Sequence, residues 1–198
     1  MNLIEGQQAL VDRGFDYLTP ARLTLMLNAG KDEFEDVWEW PWLQKATTGP
    51  TPLVISDLKL VQLVKSAGHD ELLGLDVRQA GLGLTDLAIA GTPEWWWIEG
   101  DQKMHAYPGD GATLDVIYIA DSPELVLPDD TPLIPARYHP LWIDFAVCEA
   151  YKDSDNFPAA QALRADVMTR MQDVIGRYET RNRQHSPFIT MRGLSEDD

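Results

Sequence analysis

Cysteine is all but missing: Cys148 is the single one in 198 residues. That excludes an intrachain disulfide and fits a protein made in a reducing compartment. Cys148 falls on the apolar side of an expected helix and reads as a small buried hydrophobe. Long hydrophobic runs are absent too. No stretch approaches the ~18 apolar residues of a membrane span. The opening Met1-Asn2-Leu3-Ile4-Glu5-Gly6 has no basic region ahead of an apolar run, so no signal peptide is expected.

Positive charge is scarce. Lys and Arg total 16 against 32 Asp and Glu, a formal net charge of −16. A grip on nucleic acid needs clustered Lys and Arg to neutralise phosphates, so this balance argues against one. It fits a surface that repels DNA or meets a basic partner. The shortage is uneven. Residues 161–192 hold six arginines (Arg164, Arg170, Arg177, Arg181, Arg183, Arg192) against Asp166, Asp173 and Glu179. An acidic body with a basic C-terminal segment could pair copies head to tail.

Motifs of chemistry are also lacking. His69, His105, His139 and His185 are scattered, without the His or Cys spacing of a zinc site. Asp153-Ser154-Asp155-Asn156-Phe157 begins like a calcium loop, but lacks the Gly at the sixth position and the Glu at the twelfth. Gly81-Leu82-Gly83-Leu84-Thr85-Asp86 lacks the third Gly of a dinucleotide fingerprint and any surrounding βαβ unit. There is no nucleophile elbow and no phosphate loop. No catalytic residue, metal ligand or cofactor is assigned, and no enzyme is expected.

What is present is a change of period along the chain. Residues 3–17 read as a first helix, with Ile4, Val11, Phe15 and Leu18 near one face. Thr19 can cap and Pro20 suits the first position of a second helix. From residue 20 to about 39, Leu23, Leu27, Gly30, Phe34, Val37 and Trp38 recur at steps of three and four, and Pro41 ends the segment. Residues 46–52, Ala-Thr-Thr-Gly-Pro-Thr-Pro, read as a breaker cluster and a boundary.

Beyond it the period becomes two. Residues 58–64 are apolar on both parities, as in a strand buried on both faces. Leu73, Leu75 and Val77 alternate with polar partners, as in a half-buried strand. Residues 85–91 suffice for a turn of helix at most. A hairpin is expected over 94–99 and 103–107, turning at Gly100-Asp101 as a type II′-like pair. Pro108-Gly109-Asp110-Gly111 turns again into a strand carrying Leu114, Val116 and Tyr118. Five prolines between 123 and 140 then forbid regular structure. A third helix over 136–152 places Tyr138, Leu141, Trp142, Phe145 and Cys148 on one face. A fourth runs to about 180 with Ala160, Leu163, Val167, Met171, Val174 and Tyr178. Residues 181–198 lose periodicity and read as an extended or disordered tail.

The expected fold is therefore α+β: a helical bundle of N- and C-terminal helices (1–45 and 133–180) with an inserted antiparallel β module (46–132). Trp95 and Trp97 are expected in the sheet core, with Trp96 covering the other face or an interface. Tyr107 and Tyr118 join them as aromatics of that module. Trp38, Trp40 and Trp42 are expected to join the two modules.

The ordered series of motifs resembles the head-to-tail adaptor (connector, or neck) proteins of tailed bacteriophages. It runs from about residue 3 to 178 and is densest over 76–153. A polar strand, Asp76-Val77-Arg78-Gln79, is followed by Gly91-Thr92-Pro93 and the aromatic strand Trp95 to Ile98. A strand ending in Tyr107-Pro108 comes next, then Leu114-Asp115-Val116-Ile117-Tyr118. The series closes with Pro132-Leu133-Ile134-Pro135, Arg137-Tyr138-His139 and a helix ending near Ala150-Tyr151. The crowding of Trp departs from the pattern.

The resemblance implies a virion structural protein of the neck, between capsid and tail, present in the host cytoplasm before assembly. It implies a homo-oligomeric ring, commonly a dodecamer, on a portal protein. Tail or tail-completion proteins attach below, and the genome passes through without specific binding. An interface with the portal or a neighbour is expected at Arg177, Arg181, Arg183, Phe188, Ile189, Met191 and Arg192. Rival readings are a tail-completion protein of the same neck, a carbohydrate-binding accessory using Trp95 to Trp97 as a platform, and a cell-wall hydrolase.

Overall fold

The computed structural model describes residues 1–66, 71–75, 91–100, 102–108 and 111–185, with side chains through residue 180. The chain divides into two compact units. One comprises Met1–Phe34 and Ala136–Asp198, the other Glu35–Pro135. The first is helical in its described residues and the second is built mainly of strands, so the fold mixes helix with largely antiparallel sheet, as an α+β protein does.

In the helical unit, α1 (Leu3–Leu10) opens on a capping box. The Asn2 side chain accepts from the Glu5 amide and Glu5 accepts from the Asn2 amide, both at 2.9 Å. This satisfies two end groups that the helix cannot pair internally. After Leu10 the helix passes into a π-helical turn (Val11–Phe15), within which the helical backbone breaks at Gly14, whose φ of +94° suits glycine. The buried face is Leu3, Gly6 and Leu10, while Ile4, expected inside, is 53% exposed. Both sets have helical spacing, and tertiary contact decides between them. A side chain at Gly6 would press on Leu27 at 3.2 Å and Trp142 at 3.3 Å.

As expected, Thr19 accepts the Arg22 amide (3.4 Å) ahead of α2 (Pro20–Asp36), which buries Leu23, Leu27 and Phe34. The helix stops three residues earlier than expected. After the 3-10 turn at Ala136–Tyr138 comes α3 (His139–Asp153), in which every residue from Leu141 to Cys148 is buried. The expectation covered one face only. The helix is covered on several sides because α1, α2 and α4 (Phe157–His185) all pack on it, and an apolar helix with such cover has no polar face to show. The Trp142 indole N–H donates to the Leu27 carbonyl at 2.9 Å. Helix α4 buries Ala160, Val167 and Met171 and continues five residues past its expected end. Residues 181–185 are therefore helical rather than part of a tail.

The strand unit holds two sheets. In the first, β1 (Gln44–Pro50) and β3 (Leu58–Ser66) flank β7 (Thr113–Ala120). In the second the order is β2 (Leu53–Val54), β6 (Lys103–Tyr107), β5 (Trp95–Glu99) and β4 (Leu73–Gly74). All pairs are antiparallel except β4 with β5. One apolar cluster draws on both sheets: Val64, Met104, Ala106, Leu114, Val116 and Tyr118 are among its members.

Several expectations need correction here. The supposed breaker at 46–52 is mostly strand, paired in unbroken register from Gln44 opposite Ile119 to Pro50 opposite Thr113. An edge strand tolerates Gly and a terminal Pro. Strand β3 is no doubly buried strand but the opposite edge, with Leu60 45% exposed. Its register shifts between Leu58 and Leu60 and between Val61 and Leu63. Such bulges move the inward position from one parity to the other, which is why both are apolar. The strand around Leu73 is two residues long with Leu73 59% exposed, and Val77 lies outside the described residues, as do 85–90. The hairpin forms as expected, but Glu99 pairs with Lys103, leaving a three-residue rather than a two-residue connection.

Candidate functional site

Four of the six arginines whose side chains are described in the helical unit form internal ion pairs. Asp144, 5% exposed on α3, receives Arg13 from the π-helical turn and Arg170 from α4, the latter at 2.6 Å. Arg22 pairs with Asp153. Arg164 meets Glu33 at 2.5 Å, with Lys152 4.0 Å from the same carboxylate. Burial, together with the hydrogen bond that a protonated Glu33 gives to Glu149, nonetheless holds the Glu33 carboxyl above its ordinary value. Burial also pushes the Cys148 thiol up to about 11, with Glu33 adding to the shift.

Two arginines stand apart. Arg137, in the 3-10 turn before α3, and Arg177, near the end of α4, line one cleft of about 270 Å³ with Tyr138, Val174 and Tyr178. The Arg137 guanidinium lies 4.6 Å from the Tyr138 ring centroid and 5.7 Å from that of Tyr178. It also donates to the Tyr178 hydroxyl at 3.4 Å. Among the described residues neither Arg137 nor Arg177 makes an ion pair. Both are exposed. Beyond the N–H given to the Tyr178 hydroxyl, the Arg137 guanidinium retains N–H donors for a further acceptor, and Arg177 adds its own. The cleft can therefore hold an anion, and among anions it suits a planar carboxylate.

In the strand unit the tryptophans follow the opposite parity to that expected. Trp96 and Ile98 pack against the apolar cluster, opposite buried Ala106 and Met104. Trp95 and Trp97 share the other face with Tyr107 and His105, their partners in register. Trp97 stacks on His105, centroids 4.2 Å apart and planes 11° from parallel. Each of Trp95, Trp96, Trp97 and Tyr107 is half-buried. Tyr118 is buried, and its hydroxyl donates to Asp57 at 3.0 Å. Asp57 also accepts Lys45 at 2.5 Å, and that bond is the largest cause holding its carboxyl below the ordinary value. Burial and then Asp57 raise the Tyr118 hydroxyl. Within the same unit Trp40 is fully buried, stacked on Trp42 at 4.5 Å and edge-on to Trp38 at 5.0 Å.

A family model described as the SU10 adaptor protein matches residues 3–191. The chain belongs to the SU10 adaptor family. It is thereby a bacteriophage adaptor, a structural protein of the head-to-tail adaptor kind. No curated protein matches it significantly.

Of the interface residues expected in this adaptor, Arg177 lies in the cleft. Arg181 and Arg183 fall on the last turns of α4, while Phe188, Ile189, Met191 and Arg192 lie outside the described residues. Sequence reasoning missed Arg137 as a partner of Arg177. The signal was faint. Tyr138 and Tyr178 were both assigned to apolar helix faces, and only the fold brings positions 40 residues apart together around one guanidinium. Among the described residues no three His, Cys, Asp or Glu side chains are placed to hold a metal ion, and no helix is long and apolar enough to cross a membrane.

Proposed function

We propose that this adaptor is one subunit of a ring, dodecameric in its family's manner, seated beneath the portal of a DNA-filled capsid. The genome passes through the lumen and the tail or a tail-completion protein attaches below. The observation that carries this reading is the family match over residues 3–191. The twofold excess of carboxylates over Lys and Arg supports it, because a conduit for DNA works best when like charge keeps the duplex from its wall. The test is to mix the full chain with the portal and view the product by negative-stain microscopy. A ring of added density on one face of the portal is expected. Bare portals at saturating adaptor would sink the reading.

The portal contact is proposed to involve residues 181–198. Phe188, Ile189 and Met191 would fill an apolar groove while Arg181, Arg183 and Arg192 meet acidic residues around it. Burial of each large apolar side chain contributes roughly 1.5–3 kcal/mol. Deleting residues 186–198 is expected to leave far-ultraviolet circular dichroism and the thermal midpoint unchanged, yet abolish attachment to the portal. Normal joining of tails to filled heads by the truncated protein would show that segment to be dispensable.

A further inference from the structure

We propose that the cleft formed by Arg137, Tyr138, Val174, Arg177 and Tyr178 receives carboxylate side chains from a second copy of this chain, so that each copy offers a basic cleft to its neighbour's acidic surface. The first support is the contrast among arginines. Arg13, Arg22, Arg164 and Arg170 each pair with a carboxylate of their own chain. Arg137 and Arg177, in a protein with twice as many acids as bases, make no ion pair among the described residues and line the same cavity.

The second support is shape. The rings of Tyr138 and Tyr178 lie near Arg137 at 4.6 and 5.7 Å, which orders the guanidinium before any ligand arrives. An ordered fork loses less freedom on binding and selects a planar acceptor. The third support is supply. Each copy has a surplus of 16 negative charges, so its neighbour presents carboxylates in excess, whereas the same surplus disfavours approach of a nucleic acid phosphate. A contact between two different patches is heterologous, and such contacts generate a closed ring when the rotation permits. The inference rests on the ring reading given above.

The test titrates full-length chain onto the portal ring and counts bound copies by native mass spectrometry. Wild type should fill cooperatively, with partly filled rings scarce. The double variant R137Q/R177Q alters two exposed side chains and should keep the wild-type circular dichroism. It should still bind singly, but spread over partial occupancies, with copy-to-copy association weakened about tenfold or more. R137K/R177K keeps the charge without the planar fork and should fall between, and it carries the same test if the glutamine variant does not fold. Undiminished cooperativity in both variants would overturn the cleft assignment and leave the ring reading standing. Loss of single-copy binding with cooperativity kept would give the cleft to the portal, again overturning it. Non-cooperative filling by the wild type would overturn the copy-to-copy contact and leave the ring reading standing, whereas a portal that takes up no adaptor would sink the ring reading.

Discussion

Two glycines on helices of the same unit should respond oppositely to alanine. A Cβ on Gly30 would lie 2.4 Å from the Ala146 amide nitrogen and 2.6 Å from its Cα, which are backbone atoms of α3. Alanine there must drive α2 from α3. The expected loss of about 1–3 kcal/mol from overpacking exceeds the ~1 kcal/mol that alanine returns in helix propensity. At Gly176, on α4, nothing lies within 4 Å of the added Cβ, so alanine should stabilise by roughly 0.5–1 kcal/mol. Denaturant midpoints of the two variants check both signs. Cys148 gives a pH signature. Its folded thiol titrates at about 11 against an ordinary 9.0, so the folded chain keeps a proton that the unfolded chain has lost. The contribution is fully present below pH 9 and is lost as pH rises toward 11. An aromatic disulfide reagent at pH 8 should leave native Cys148 unmodified and label it only on unfolding. Labelling as fast as that of a free thiol would contradict the burial. The buried role was legible in the sequence from the helical spacing of Cys148 with Leu141, Trp142 and Phe145.

Among elements, legibility followed how far each strand's partners lie from it. Strands β5 and β6 were legible in extent because turn residues bound them locally; β7 was legible in place, and α3 in place after a proline-rich passage, although it begins three residues later than expected. Strand β1 was missed because its pairing with β7, Pro50 opposite Thr113 to Gln44 opposite Ile119, comes from far along the chain and overrides the local bias of Gly49 and Pro50. Strand β3 was misread because bulges mimic two-sided burial. The tryptophan parity failed for a related reason. Three consecutive aromatics carry no alternation, so the inward face was set by Ala106 and Met104 on β6 and could not be read from β5 alone. This yields a test of the sheet. Trp96→Ala removes packing from the apolar cluster and should cost about 2 kcal/mol or more. Trp97→Ala loses a stack on His105, worth about 0.5–1.5 kcal/mol. Urea melts should rank them in that order; the reverse rank would restore the parity first expected.

For the molecule as a whole, a net charge of −16 makes like copies repel at long range, while the Arg137–Arg177 cleft attracts only on close approach. The two act over different distances, and salt separates them. At an ionic strength of about 0.01 M charges are felt over about 30 Å, against about 10 Å at 0.1 M. At low salt the long-range repulsion acts between whole bodies and should keep the isolated adaptor monomeric. A portal that binds several copies supplies the missing term, since tethering raises their effective concentration against one another without a new contact. Assembly is therefore expected to be templated. Sedimentation velocity of the pure protein at low micromolar concentration and low salt should give one species near the 22.3 kDa of the chain. Adding the portal under the same conditions should move adaptor into a fast-sedimenting complex. A stable closed ring formed by the pure protein alone would show that contacts between copies outweigh the repulsion unaided, and templating would have to be abandoned.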